Sequence, residues 1–150
     1  MSNKAFEKKI NTALTGDSLK NALDFVAFLQ LNDDFSDEPC EGADGWNIYR
    51  KGINSAYVAF DGDKNTLDIV LHINTYGGEE PVDDALKEFT WSHVIICPNG
   101  CGKTTLCGDS KIRNKIFEKE YEHICQSPLY FPNPTADEMK KVQKLLLLLH

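Results

Sequence analysis

The chain has 150 residues, a formal net charge of −7, 41% hydrophobic residues and 10% aromatic residues. That length and apolar content build one domain with its own core, and they exclude a disordered chain. The acidity argues against a nucleic-acid binder, which needs a basic surface to neutralise phosphates; the densest basic run, Lys111, Arg113, Lys115 and Lys119, reads as a solvated helix face.

Residues 3–14 are predicted to form a short helix, because Phe6, Ile10 and Leu14 recur every four residues. Gly16 ends it, and Asp17 is the expected N-cap of a second helix over 18–30. Leu19, Ala22, Leu23, Val26 and Leu29 form the apolar stripe of that helix. The stretch NDDFSDEPCEGADG, 32–45, is acidic and rich in turn formers, so it reads as a loop. Asp33 and Asp34 lack the spacing of a calcium-binding EF-hand and read as solvated.

The period then changes to two. WNIYRK (46–51), SAYVAF (55–60) and TLDIVLHI (66–73) read as the strands of an antiparallel meander with short hairpin connections. In the third, Leu67, Ile69, Leu71 and Ile73 share one face, and Asp68, Val70 and His72 share the other. After the TYGGEEP loop, Pro81 suits the first turn of a helix over roughly 82–90. SHVII, 92–96, is expected as a fourth strand leading into a cysteine loop. Residues 111–124 are predicted as a helix with Ile112, Ile116, Tyr121 and Ile124 inward. PLYF, 128–131, reads as a short strand, and its flanking prolines assign it to an edge. Thr135 and Glu138 make a capping box for a last helix, whose inner face is Met139, Val142, Leu145, Leu146 and Leu149.

The expected architecture is a single α+β domain over 1–150. An antiparallel sheet has the N- and C-terminal helices packed on one face, with a cysteine-rich insertion over 97–125. No apolar run approaches the roughly 20 residues that a membrane helix needs, the longest being the five leucines at 145–149. The expected location is the cytoplasm, where thiols stay reduced, so the five cysteines point to metal, catalysis or packing before disulfides.

The insertion opens with CPNGCGKTTLCG, 97–108. Gly102, Lys103 and Thr104 match the second half of a phosphate-binding P-loop. The leading glycine is replaced by Cys97, and Gly108 and Asp109 interrupt the helix that should hold the phosphates. A nucleotide cradle is therefore the weaker reading. Counted by sulfur, Cys97, Cys101, Cys107 and Cys125 read C-x3-C-x5-C-x17-C. Four thiolates suit a tetrahedral zinc site, and Gly100 and Gly102 let the backbone turn tightly between ligands. His93 or His123 could replace one cysteine. The competing readings are buried, reduced, unligated thiols, a disulfide, or iron–sulfur ligation. Cys40 stands alone as a surface thiol with no base beside it in sequence.

Five stretches occur together in order: ALDFVAFLQLND (22–33), WNIYRKG (46–52), LKEFTWSHVIIC (86–97), KIFEKEYEHIC (115–125) and FPNPTADEMKKVQKLL (131–146). In this combination the chain resembles a family of small, stand-alone, uncharacterised bacterial proteins with a C-terminal cysteine cluster. The resemblance implies a fold and a metal site, and no reaction. Glu118 departs from it, standing where the family pattern has glycine, and the cysteine spacing is wider. The closing strand–Pro–helix also looks like the end of a broader group of small α+β domains suspected of ligand binding.

Three functions follow from these residues. A non-enzymatic protein binding a small molecule or a protein partner would use Trp46, Tyr49, Tyr57 and Trp91, with Phe60 beside them; the competing reading is that the rings are core. A small enzyme would draw on His72, His93, His123, Asp61, Asp63 and Asp68, or on the 97–105 loop as a nucleotide site. His72 and Asp68 lie about 13 Å apart along an extended strand and make no dyad. An acidic partner protein would cover a basic surface with residues 33–44. The first, with a structural zinc knuckle, is the reading these residues favour. Neither nucleic acid nor membrane is an expected partner.

Overall fold

The computed structural model describes residues 4–40, 44–72, 82–96, 114–121 and 124–148. Helix α1, Lys4–Ala13, buries Phe6 and Ile10, and Leu14 completes the row beyond its end. Helix α2, Gly16–Gln30, buries Ala22, Phe25, Val26 and Leu29. Its N-cap is Thr15, not Asp17, and no side chain caps it. The start of α2 is fixed from outside instead: Thr15 N–H donates to Asn65 Oδ1 at 2.9 Å and Ser18 Oγ–H donates to the Asn65 carbonyl at 2.7 Å. Gly16 has φ 60°, a left-handed turn between the helices that a residue with a Cβ resists.

Six strands form one antiparallel sheet: β1 Phe35–Pro39, β2 Gly45–Arg50, β3 Ile53–Asp61, β4 Thr66–Leu71, β5 Val94–Ile96 and β8 Ile124–Pro132. Their order across the sheet is β1-β2-β3-β4-β8-β5. Helix α3, Asp84–Trp91, precedes β5, and α4, Ala136–Leu148, follows β8. The fold class is α+β, as the residue pattern predicts. Alternate strand residues turn inward: Ile48 faces Ala56, Val58 faces Ile69, and Ile69 faces Phe131. The buried sides of all four helices join these residues in one hydrophobic cluster.

Three predicted segments are corrected. The acidic stretch 32–45 is not all loop, because β1 lies within it. Phe35 anchors that strand, 7% exposed, with its ring 5.6 Å from Phe28. The carboxylates that made it look like a loop are those of an edge strand, where charge discourages unwanted pairing. Asp34 and Cys40 bond backbone to backbone with the β2 side, so by alternation Phe35, Asp37 and Pro39 turn their peptide groups outward. Pro39 has no N–H to offer there.

The PLYF segment is not an edge strand. It belongs to β8, which lies between β4 and β5. The register between β5 and β8 shifts between Val94, paired with Leu129, and Ile96, paired with Ile124. Pro128 falls in this irregular stretch, where no regular ladder donor is required. The 111–124 segment holds a hairpin instead of a helix, β6 Asn114–Ile116 and β7 Lys119–Tyr121. Its two turn residues, Phe117 and Glu118, have φ of 45° and 75°, as a two-residue type I′ turn requires. The usual signal for such a turn is glycine or asparagine, and neither stands here. Of the residues predicted inward, Ile116 is fully buried; Ile112 lies outside the described residues.

The remaining elements fall where periodicity assigns them. Asp83 caps α3 through its side chain, accepting from Leu86 N–H at 2.8 Å. Both bonds of the α4 capping box form: Thr135 N–H to Glu138 Oε1 at 3.0 Å, and Glu138 N–H to Thr135 Oγ1 at 3.2 Å. Met139, Val142, Leu145 and Leu146 are its buried face. Among the described residues no helix is long and apolar enough to cross a membrane.

Candidate binding face

The side of the sheet turned away from the helices carries the next row of side chains. Five residues lie in register across five strands: Glu38 on β1, Asn47 on β2, Tyr57 on β3, Val70 on β4 and Tyr130 on β8. Tyr49 lies on the same side of β2, two residues beyond Asn47, and Asp68 lies on β4 opposite Ala59. Glu38 is exposed, Tyr130 is 37% exposed, and Tyr49, Tyr57, Val70 and Asp68 are half-buried. The face thus presents three tyrosines to solvent.

The tyrosines are held by their neighbours. The Tyr57 ring lies over Gly45, and a Cβ at that position would overlap it. A larger residue at 45 would therefore push the Tyr57 ring out of this position. Tyr130 Oη–H donates to Asp68 Oδ2 at 3.0 Å, while Asp68 Oδ1 accepts Asn133 N–H at 3.0 Å. Partial desolvation raises all three phenols above their usual range. Nearby anions or thiols add to that: Glu38 at Tyr49, Cys40 and Asp44 at Tyr57, Asp68 at Tyr130. Each stays protonated near neutral pH, able to donate a hydrogen bond. His72 lies at the end of this side beyond β4, and burial lowers its imidazole below the ordinary 6.5.

The residues singled out by sequence separate into two groups. Tyr49 and Tyr57 share the outer side of the sheet. Trp46 is 7% exposed and packs edge-on against Phe6, centroids 5.1 Å apart, with Nε1–H donating to Asp37 Oδ1 at 3.1 Å. Trp91 is half-buried beside the β6–β7 hairpin; its Nε1–H donates to the Ile116 carbonyl at 2.8 Å, and Lys119 Nζ lies 5.6 Å from its ring centroid. The two tryptophans thus hold the core and the hairpin. Tyr130 is the ring that sequence reasoning missed. The alternation Leu129 in, Tyr130 out, Phe131 in would have located it on the face shared with Val70.

Cys97, Cys101 and Cys107 lie outside the described residues, as does His123. Cys125 belongs to β8, one residue from the Ile96–Ile124 pair. Among the described residues no group of three or more His, Cys, Asp or Glu could hold a metal. His93 is engaged elsewhere: its ring lies tilted against both Phe89 and Phe131, 4.6 and 4.8 Å away, and Nδ1 lies 2.7 Å from the Phe89 carbonyl. That carbonyl can only accept, so Nδ1 donates.

A cleft of about 420 Å³ lies between the end of α2 and β1, lined in part by Gln30, Asn32, Asp33 and Ser36. None of the four predicted aromatics lines it. Comparison of the chain with family models, with curated proteins and with solved structures found no match.

Proposed function

We propose that the chain is a non-enzymatic binding protein and that the outer side of its sheet is the binding surface. The observation that carries this is the row Glu38–Asn47–Tyr57–Val70–Tyr130, with Tyr49 beside it. Tyrosine brings large contact area, a donor and little rotamer entropy, which is why it is enriched at interfaces. A rigid sheet presents these rings already in place, so little ordering entropy opposes binding. Catalysis is disfavoured by the same geometry. The histidines described are either packed against phenylalanines or desolvated.

A thermal-shift screen of small molecules and short peptides tests this reading. A compound that binds only the folded chain raises its unfolding temperature by mass action. Hits should lose their effect on Tyr57→Ala and Tyr130→Ala while the variants keep the unliganded midpoint within a few degrees. Hits that stabilise wild type and both variants equally would move the site off this face.

A second reading concerns the cysteines. Cys97, Cys101, Cys107 and Cys125 hold one structural zinc ion in this proposal, and their C-x3-C-x5-C-x17-C spacing supports it. Elemental analysis with thiol titration decides it. One zinc per chain with Cys40 as the single reactive thiol is expected; no metal and five titratable thiols would remove the site.

A further inference from the structure

We infer that the outer sheet face receives an extended segment of a partner protein carrying two cationic side chains, lysine or arginine, four residues apart. This rests on the binding face proposed above and adds the chemistry of its occupant. The first support is charge. Glu38 and Asp68 stand on the face. Among the described residues, the outward positions of β1, β2, β3, β4 and β8 carry no lysine or arginine. The chain as a whole is at −7, which repels anionic ligands and nucleic acid and favours encounter with a basic segment.

The second support is spacing. Glu38 is on β1 and Asp68 on β4, three strand-to-strand steps of about 4.8 Å each. With the offset of one row along the strands, the two carboxylates are on the order of 15 Å apart. In an extended segment, residues i and i+4 point to the same side and lie about 13 Å apart. Long cationic side chains span the remainder. Between them lies the Tyr57–Val70 pair, which offers a ring and an aliphatic surface to the residue at i+2. Stems of lysine or arginine lie well on tyrosine rings while their heads reach carboxylate.

Pairing with the free side of β1 is a poorer alternative. Pro39 and outward Asp37 leave little ladder to extend. The occupant therefore lies across the face, held by side chains.

Calorimetric titration of the full chain at low salt tests this with a synthetic peptide of about twelve residues. The first probe has arginine at i and i+4 in a neutral Ser/Thr/Val background. The second has the two arginines adjacent, and the third has glutamine in their place. The i, i+4 peptide should bind at least about tenfold tighter than either control. Glu38→Gln and Asp68→Asn should each weaken it about fivefold, and the advantage should shrink as salt rises. Asp63→Asn, in the β3–β4 turn, should leave it unchanged. Asp68→Asn keeps an oxygen for one of the two donors, Tyr130 Oη–H or Asn133 N–H, and its circular dichroism is compared with wild type to check that it folds. Equal binding of all three peptides, still weakened by Tyr57→Ala, would overturn the cationic occupant and keep the face. No binding by any peptide, or binding insensitive to Glu38→Gln and Asp68→Asn, would overturn the inference outright.

Discussion

Glu118 holds φ 75° at the second turn position of the β6–β7 hairpin, and its carboxylate is tied to Lys87 Nζ at 2.8 Å. The left-handed region costs a residue with a Cβ about 1 kcal/mol or more, and glycine is spared that cost. The ion pair is open to solvent on the Glu118 side, 77% exposed, and recovers little. Glu118→Gly is therefore expected to raise the thermal midpoint by about 2–4 °C, read by differential scanning calorimetry. An unchanged or lower midpoint would mean that the Lys87 contact outweighs the backbone. This turn was illegible in sequence because Phe117 and Glu118 are not turn formers, while Ile112 and Ile116 imitate a helical period. The neutral His72 gives a second test. Its folded pKa is lowered, so the unfolded chain binds the extra proton first as pH falls. Its contribution is present above the ordinary 6.5 and is lost as pH falls through that value toward the lowered one. The midpoint should drop as pH falls through the ordinary 6.5, and His72→Gln should flatten that part of the profile. A profile unchanged by the substitution would assign the dependence to other groups.

The capping box of α4 was readable from two letters, Thr135 and Glu138, because it needs only a local spacing. Both of its bonds satisfy donors that the first turn of a helix cannot pair internally. Thr135→Ala should cost about 1 kcal/mol, a drop in midpoint of about 2–4 °C, and Glu138→Ala less. A double variant no worse than Thr135→Ala would show that the two bonds act as one unit. Strands β2, β3 and β4 were equally legible, since period two survives wherever one face is buried. What local pattern cannot supply is the neighbour in space. β1 was lost because a single buried ring, Phe35, had to be weighed against the six acids of 32–45. β8 was taken for an edge because its prolines speak only for their own positions; its partner β5 lies about 30 residues earlier. The outer face was half visible for the same reason. Tyr49 and Tyr57 lie on strands that a meander links, whereas Tyr130 arrives on β8.

Every described helix contributes to one cluster, and no second core is present among the described residues. Phe131 sits fully buried in it, 1% exposed, stacked on Phe89 at 5.3 Å, and paired across the sheet with Ile69. Phe131→Ala should cost about 3–5 kcal/mol. Loss of far-ultraviolet circular dichroism and the fluorescence change of Trp46, read in a Trp91→Phe background, should coincide with and without Phe131→Ala. Two separate transitions would mean that the β1–β2 end and the β8–α4 end melt apart. At this scale the sequence spoke clearly on size, class and charge, because these are sums over residues. It was silent on which face of the sheet is left for other molecules, because that follows from where the helices return. The two outermost strands add a further property. One ends in proline and carries carboxylates, and the other is three residues long. Neither offers a template on which further chains could stack into fibrils, so the protein should tolerate crowding without seeding its own aggregation.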